Sequence, residues 1–284
     1  MDGLGSPQPP LTARPRSFTA RRLVVGATVI VVLVACIAGG VAIWAHLHGK
    51  ARLPAECRVS AGSLQYVLDL QQAANATTIT AVGKQLGMPD HAVTVALATA
   101  LQESRLHNLR YGDRDSLGLF QQRPSQGWGT RAEILDPVHA STAFFQALAR
   151  VPGWQAMTVT QAAQAVQHSS APQAYATWAP MARTLAIATT GEVRAGLTCQ
   201  FTLTRSNAAP ASPASAMTPV FGPLTLNTSV AAARGWTIAS WLVGHAQQYR
   251  ITSISFAGQR WTPRGVWHAI QTNDPAVRIT QAPA

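Results

Sequence analysis

An uncharged, mostly apolar run near the amino terminus constrains this chain more than any other feature. Residues 23–44 read LVVGATVIVVLVACIAGGVAIW. At about 1.5 Å per residue such a run spans the roughly 30 Å hydrocarbon core of a bilayer, so it predicts a transmembrane helix. A cleaved signal peptide is the alternative, but its apolar part is usually about 7 to 15 residues long. The length therefore favours an uncleaved anchor in the cytoplasmic membrane.

The flanking charges predict how this anchor is oriented. Basic residues precede the run at four positions and follow it closely at two, namely Arg14, Arg16, Arg21, Arg22, Lys50 and Arg52. Positive charge stays on the cytoplasmic side, so we expect a single-pass protein with a cytoplasmic, disordered tail over residues 1–22. Most of the chain would then lie outside the cell membrane.

The cysteines fit this topology. Cys36 lies in the apolar run, which leaves Cys57 and Cys199 on the oxidising side. We predict that these two form a disulfide, two free thiols being the alternative. In the chain-entropy model so long a loop contributes about 4 to 5 kcal/mol. Neither cysteine has a neighbour at zinc-ligand spacing, so no metal or cofactor is expected.

Apolar residues between the two cysteines recur at helical spacing, with capping residues and Gly or Pro at the breaks. This pattern predicts an all-α domain over residues 57–200. Asp69, Asp90 and Asp136 are its expected N-caps. The five predicted helices cover residues 69–86, 92–102, 137–150, 158–168 and 172–191.

A linker rich in Pro, Ala and Ser is predicted over residues 201–223, followed by a small α+β domain over residues 224–284. The whole chain is thus expected to be mainly α. The last domain has one carboxylate, Asp274, and no cysteine, so binding is its expected role. Trp261 and Trp267 are its candidates for contacting glycan or an anionic wall polymer.

The charge balance narrows the choice of partner. The formal net charge is +11, although only 12% of the residues are charged. The basic residues are spread along the chain without the aromatic interleaving typical of nucleic-acid binding, so no nucleic acid is expected. An anionic wall or membrane surface fits this distribution.

Acidic residues are few, so a catalytic acid can be sought by elimination among the eleven Asp and Glu. Caps and isolated positions account for most of them, leaving Glu103, Asp113 and Asp115, with Glu133 farther away. A glycosidase uses one carboxyl kept protonated by apolar surroundings and another kept ionised by polar ones. Glu103 ends the apolar stretch AVTVALATAL and is therefore the expected proton donor.

The stretch ATALQESRLHNLRYGDRDSLGLFQQ, residues 98–122, resembles the lysozyme-like superfamily of soluble lytic transglycosylases and goose-type lysozymes. Glu103-Ser104 matches the Glu-Ser pair that ends the catalytic helix in that group. Residues 118–121, GLFQ, match its Gly-Leu-x-Gln motif, with Phe in place of the usual Met. Tyr175 is the counterpart of the tyrosine that completes the site, although Ala176 follows it where Asn is common.

The resemblance implies cleavage of peptidoglycan glycan strands between N-acetylmuramic acid and N-acetylglucosamine, with Glu103 as the acid. Lytic transglycosylase chemistry is favoured over hydrolysis, in which Asp113 or Asp115 would position a water. An Asx-rich turn is the alternative for these two aspartates. Sugar contacts are expected from five residues: Ser104, Ser116, Gln121, Trp128 and Tyr175. Loop stabilisation or core packing remains open for Ser116, Gln121 and Trp128.

Two other functions stay open at this point. One is a lysozyme-like module that binds wall glycan and recruits envelope proteins without cutting. The other is a component that opens the wall locally for a larger secretion or conjugation assembly. Intact Glu103 and Gln121 favour the enzyme over the first of these.

Overall fold

A computed structural model describes residues 34–40, 44, 54–169, 171, 173–203, 210–224 and 226–283. The chain divides into two compact units, Met1–Arg52 and Leu53–Ala284. In the first unit, residues 34–40 and 44 are helical. Among the described residues, no helix has both the length and the apolar character needed to cross a membrane. The predicted tail 1–22, and most of the predicted anchor 23–44, lie outside the described residues.

Eight α-helices and three short 3₁₀ turns are described in the second unit. The helices are α1 (Leu70–Gln85), α2 (Asp90–Ser104), α3 (Arg131–Ile134), α4 (Pro137–Ala149), α5 (Val159–Gln167), α6 (Ala179–Thr190), α7 (Pro213–Phe221) and α8 (Ala232–Gly244). The 3₁₀ turns are Pro124–Gln126, Trp154–Ala156 and Ala174–Trp178.

The described strands form two antiparallel sheets, which corrects the prediction of a mainly α protein with an all-α domain. The first sheet has the order β2-β1-β3 and the second the order β6-β5-β4-β7. The strands are β1 (Glu56–Ala61), β2 (Leu64–Leu68), β3 (Leu197–Gln200), β4 (Ile251–Phe256), β5 (Gln259–Thr262), β6 (Val266–Ala269) and β7 (Arg278–Gln281). The protein is therefore α+β. The all-α prediction overlooked a signal at both ends of the domain, because β1 and β3 alternate apolar and polar residues in ECRVSA and LTCQ.

The predicted disulfide between Cys57 and Cys199 is confirmed. The two cysteines face each other across the antiparallel pair β1 and β3, and both are fully buried. The bond joins the two ends of the helical region, 142 residues apart. The first sheet is thus the place where the beginning and the end of that region meet.

Helix α2 runs through the centre of the helical region, with α5 and α6 packed against it. Ten of its residues from Ala92 to Leu101 are buried without interruption. Asp69 and Asp136 cap α1 and α4 as predicted. Asp90 does not cap α2: it is the first helical residue, and its carboxylate lies 2.5 Å from the ammonium group of Lys84.

The carboxyl-terminal segment packs onto the helical region within the same compact unit. Helix α8 contacts α1 and α6, and the hydroxyl of Thr237 donates to the carbonyl of Thr190 at 2.9 Å. Part of the predicted linker 201–223 forms α7, whose Met217 and Phe221 are buried. This segment forms a helix despite its Pro and Ser content, because its apolar residues recur at helical spacing and pack against the core.

The two tryptophans proposed as surface contacts lie on the face of the second sheet that packs against the core. Trp261 is fully buried and donates its indole N–H to the hydroxyl of Thr198 at 3.1 Å. Trp267 is half-buried and donates to the carbonyl of Leu197 at 2.9 Å. Both indoles join the second sheet to strand β3, so Trp261 is not a surface contact.

His245, just after α8, makes folding sensitive to acid. Its ring stacks on Trp241 at 4.0 Å, donates from Nδ1 to the carbonyl of Trp241 and faces the hydroxyl of Thr78 on α1. Burial lowers the pKa of His245 to about 4 from its ordinary 6.5, and the hydrogen bond to Trp241 opposes this shift. The folded state therefore holds the neutral ring at pH values where the unfolded chain takes up a proton.

We expect the free energy of unfolding to fall by on the order of 3 kcal/mol as the pH drops from 6.5 to 4 on account of His245, and to level off below that. Urea denaturation at pH 7 and pH 4.5 measures it. His245→Gln, which cannot titrate, should lose this part of the slope. An NMR titration in which the folded His245 ring protonates near pH 6.5 would contradict the prediction.

Candidate active site

Glu103 lies in the last turn of α2 and is half-buried. The helix ends at Ser104, and the next two residues, Arg105 and Leu106, both adopt left-handed backbone angles, with φ of 55° and 62°. Leu106 is fully buried, so its packing offsets the strain of that conformation. The chain turns sharply here, so Glu103 lies in the last turn of α2, next to the loop that follows.

Side chains at the start of α1 and at its N-cap hold this sharp turn in place. Gln72 donates its side-chain amide to the carbonyl of Arg105 at 2.9 Å, and Asn75 does the same to Leu106 at 2.7 Å. The ring of His107 lies 2.8 Å from the carboxylate of Asp69. Side chains from one helix thereby satisfy the free carbonyl groups at the end of the next. This arrangement fixes the backbone on the carboxyl side of Glu103.

Tyr175 contacts Glu103 directly. It lies on the 3₁₀ turn Ala174–Trp178, and its hydroxyl donates to Oε1 of Glu103 at 2.7 Å. Tyr175 is fully buried. Burial, followed by the hydrogen bond to Glu103, raises the pKa of Tyr175 well above its usual value. Its hydroxyl therefore remains a hydrogen-bond donor throughout the physiological range.

A second contact secures the same turn, and sequence reasoning missed it. The indole N–H of Trp178 donates to Oε1 of Gln102 at 2.8 Å, and the guanidinium of Arg105 lies 3.9 Å from the centre of the Trp178 ring. Trp178 follows Tyr175 by three residues, one turn of a 3₁₀ helix, so both side chains face α2. That spacing was the available signal.

The Gly-Leu-Phe-Gln motif, residues 118–121, lies beside the end of α2. The hydroxyl of Ser104 is buried and reaches the carbonyl of Leu119 at 2.7 Å. Gln167 of α5 donates to the carbonyl of Phe120 at 2.9 Å, and the Phe120 ring stacks on Phe144 at 4.7 Å. Ser104 is thus bonded to backbone and positions the motif. Phe120 is fully buried and fills the core beside α4.

Two glycines, one before the motif and one that begins it, allow the backbone to pass close to neighbouring groups here. A Cβ on Gly112 would lie 1.9 Å from Oε1 of Gln121, and one on Gly118 would lie 2.6 Å from the carbonyl of Ile134. Gln121 in turn donates to the carbonyl of Gly118 at 3.2 Å. Its amide is only half-buried, which leaves it within reach of a ligand.

The two aspartates of this loop differ in their surroundings. Asp115 accepts from Nε of Arg123 at 2.6 Å and from the backbone N–H of Ser125 at 2.9 Å, and these bonds hold its pKa well below the usual range. The Asp113 side chain is 94% exposed, with Arg114 at 3.9 Å. Among the described residues, neither aspartate makes a hydrogen bond or ion pair with Glu103 or Tyr175.

The remaining predicted sugar contacts lie at different depths. Ser116 is buried within the loop, which favours loop stabilisation as its role. Trp128 is half-buried, packs on the core, and lines a cavity of about 470 Å³ together with Gln167 and His168. The structure therefore brings Glu103, Tyr175, Ser104 and the motif together, with Trp128 on a neighbouring cavity.

A larger cavity of about 710 Å³ lies near the amino end of α2 and does not include Glu103. Its lining includes the bidentate ion pair of Arg183 and Glu192, at 2.6 and 2.7 Å. These groups satisfy each other, so the cavity is not the candidate site.

Compared with known proteins, the chain matches no protein-family model and no curated sequence. The described residues also contain no group of three or more His, Cys, Asp or Glu arranged to hold a metal ion. The case for a function therefore rests on the contacts around Glu103.

Proposed function

We propose that this chain cleaves the glycan strands of peptidoglycan, with Glu103 donating a proton to the glycosidic oxygen between N-acetylmuramic acid and N-acetylglucosamine. The observation that carries the proposal is the 2.7 Å hydrogen bond from the Tyr175 hydroxyl to Oε1 of Glu103. Tyr175 was identified from its resemblance to the tyrosine that completes such sites. The two residues are 72 positions apart in the chain.

The hydrogen bond suits a proton donor. Because Tyr175 donates to Oε1, the transferable proton of Glu103 belongs on Oε2. Glu103 passes that proton to the glycosidic oxygen, the bond from this oxygen to C1 of muramic acid breaks, and an oxocarbenium-like sugar forms. Tyr175 then stabilises the carboxylate that remains. A buried hydroxyl performs this without reorganising at the moment of transfer.

The surroundings of the aspartates favour the lytic over the hydrolytic outcome. A hydrolase needs a second carboxylate to position water, and Asp115 is already committed to Arg123 and Ser125. In the lytic reaction the C6 hydroxyl of muramic acid attacks C1, a 1,6-anhydro sugar forms, and Glu103 regains the proton. The disulfide supports a location where such a substrate is found, outside the reducing cytoplasm.

The test is to incubate the full chain with purified peptidoglycan and to identify released muropeptides by mass spectrometry. Release of anhydro-muropeptides is expected. Release of products with a reducing end would show that the reaction is hydrolysis, and Asp113 would then be the residue expected to position the water. If nothing is released while the protein still sediments with the wall, the enzyme proposal is wrong and the non-catalytic binding module takes its place.

Tyr175→Phe is expected to slow muropeptide release by about 10- to 100-fold, the effect of losing one hydrogen bond to a charged group. Phe fills the same buried volume, so the fold should be kept. The loss should fall on kcat rather than KM, because the bond stabilises the carboxylate formed during proton transfer. Trp178→Phe, which removes the bond to Gln102, serves as the comparison. An unchanged kcat for Tyr175→Phe would remove Tyr175 from the mechanism.

A further inference from the structure

The outer face of the second sheet carries a row of polar and basic side chains across all four strands. In register, His268 of β6 lies opposite Arg260 of β5, Arg260 opposite Ser255 of β4, and Ser255 opposite Arg278 of β7. His268, Arg260 and Arg278 are exposed. These four residues are called the basic row below.

The opposite face of the sheet is apolar and packs against the core. The neighbouring row runs through Trp267, Trp261, Ile254 and Ile279, and it packs against the core around α8. Since side chains alternate between the two faces of a strand, this inner row forces the basic row outward. The basic row therefore stands on a rigid platform.

Little negative charge offsets the basic row. Residues 210–283 contain five arginines and one carboxylate, that of Asp274. Asp274 accepts from Nε of Arg278, which leaves the two terminal nitrogens of that guanidinium for a ligand, and the Arg260 side chain makes no hydrogen bond or ion pair with any described residue. Arg260 thus presents its whole guanidinium fork to solvent. Such a fork binds phosphate oxygens in pairs.

The spacing of the row fits a linear ligand. Adjacent strands lie about 4.8 Å apart, so Arg260 and Arg278, two strands apart, are about 10 Å from each other along the row. Long arginine side chains at that separation can bind successive charges of one chain. The Ser255 hydroxyl lies between them as a neutral donor.

We propose that the basic row binds a phosphate-bearing polymer of the cell envelope, a function separate from the chemistry at Glu103. The cellular compartment of the protein distinguishes this ligand from a nucleic acid, which is also a phosphate polymer. The second sheet is bonded through Trp261 and Trp267 to β3, which carries the disulfide cysteine Cys199. Disulfides persist in oxidising compartments outside the cytoplasm, which favours a polyanion of the envelope over a nucleic acid as the ligand of this row.

The test uses fluorescently labelled poly(glycerol phosphate) and the full chain, with anisotropy measured from 50 to 200 mM salt. The double variant Arg260→Gln, Arg278→Gln is expected to bind at least about tenfold more weakly at 50 mM salt, with a slope of log affinity against log salt reduced by about one to two. The double variant Arg131→Gln, Arg194→Gln is the matched control, because it removes two charges from exposed arginines that do not belong to this sheet. It should bind like the parent chain.

Three results would overturn the proposal. One is unchanged binding by the double variant with an unaltered near-ultraviolet circular dichroism spectrum. Another is an equal loss in Arg131→Gln, Arg194→Gln, which would show that net charge alone attracts the polymer. The third is equally tight binding of single-stranded DNA that depends equally on Arg260 and Arg278. Because none of these measurements involves cleavage, the outcome is independent of Glu103.

Discussion

Replacing Glu103 with Gln is expected to lower the rate of muropeptide release by on the order of a thousandfold, the usual contribution of a positioned general acid. The change is isosteric, and the amide oxygen of Gln can still accept the hydrogen bond from Tyr175. The turn that follows α2 depends on Gln72 and Asn75 rather than on Glu103, so the fold should be unaffected. Only the transferable proton is removed.

Glu56→Gln is the matched control for this prediction. Glu56 lies on β1, pairs with Arg58 at 2.5 Å, and undergoes the same chemical change away from the site. Its activity should equal that of the parent chain. Both variants should sediment with peptidoglycan as before, because the substitution at Glu103 removes chemistry and not the binding surface. A Glu103→Gln variant that retains a tenth or more of the parent rate would contradict the role of Glu103.

Local signals in the sequence predicted a good part of the helical region. Asp69 and Asp136 begin α1 and α4 because their side chains accept the free N–H groups of a first turn, and that chemistry depends on a few neighbouring residues. The position of Glu103 at the end of α2 followed from the apolar run before it. The disulfide followed from having two cysteines in one oxidising compartment.

Long-range pairing was beyond the reach of that reasoning. Strands β1 and β3 align in register residues that are 142 positions apart. Each alternates apolar and polar residues, but these short segments at the two ends of the domain were outweighed by the helical spacing between them. The same limit applied at the site. The contact of Trp178 with Gln102 and the burial of Trp261 depend on how distant segments pack, which spacing along the chain does not encode.

Removing the disulfide with the double variant Cys57→Ala, Cys199→Ala is expected to lower the free energy of unfolding by about 3 to 5 kcal/mol. The bond closes a loop between residues 142 positions apart. Without it the unfolded chain has more conformational entropy, which favours unfolding. Alanine keeps the buried site apolar. Urea denaturation, with the parent chain in reducing agent beside it, measures the effect, and the two samples should agree within about 1 kcal/mol.

The position of the disulfide links this loss of stability to the site. Strand β1 packs against α6, and α6 begins directly after the turn that carries Tyr175 and Trp178. Opening of the β1 and β3 pair would remove one support of α6, which would then be held mainly by α2, and would loosen the turn in which Tyr175 donates to Glu103. We expect muropeptide release by the double variant to fail at a lower urea concentration than the loss of helical signal. If both are lost together, the site and the helical core unfold as one cooperative unit.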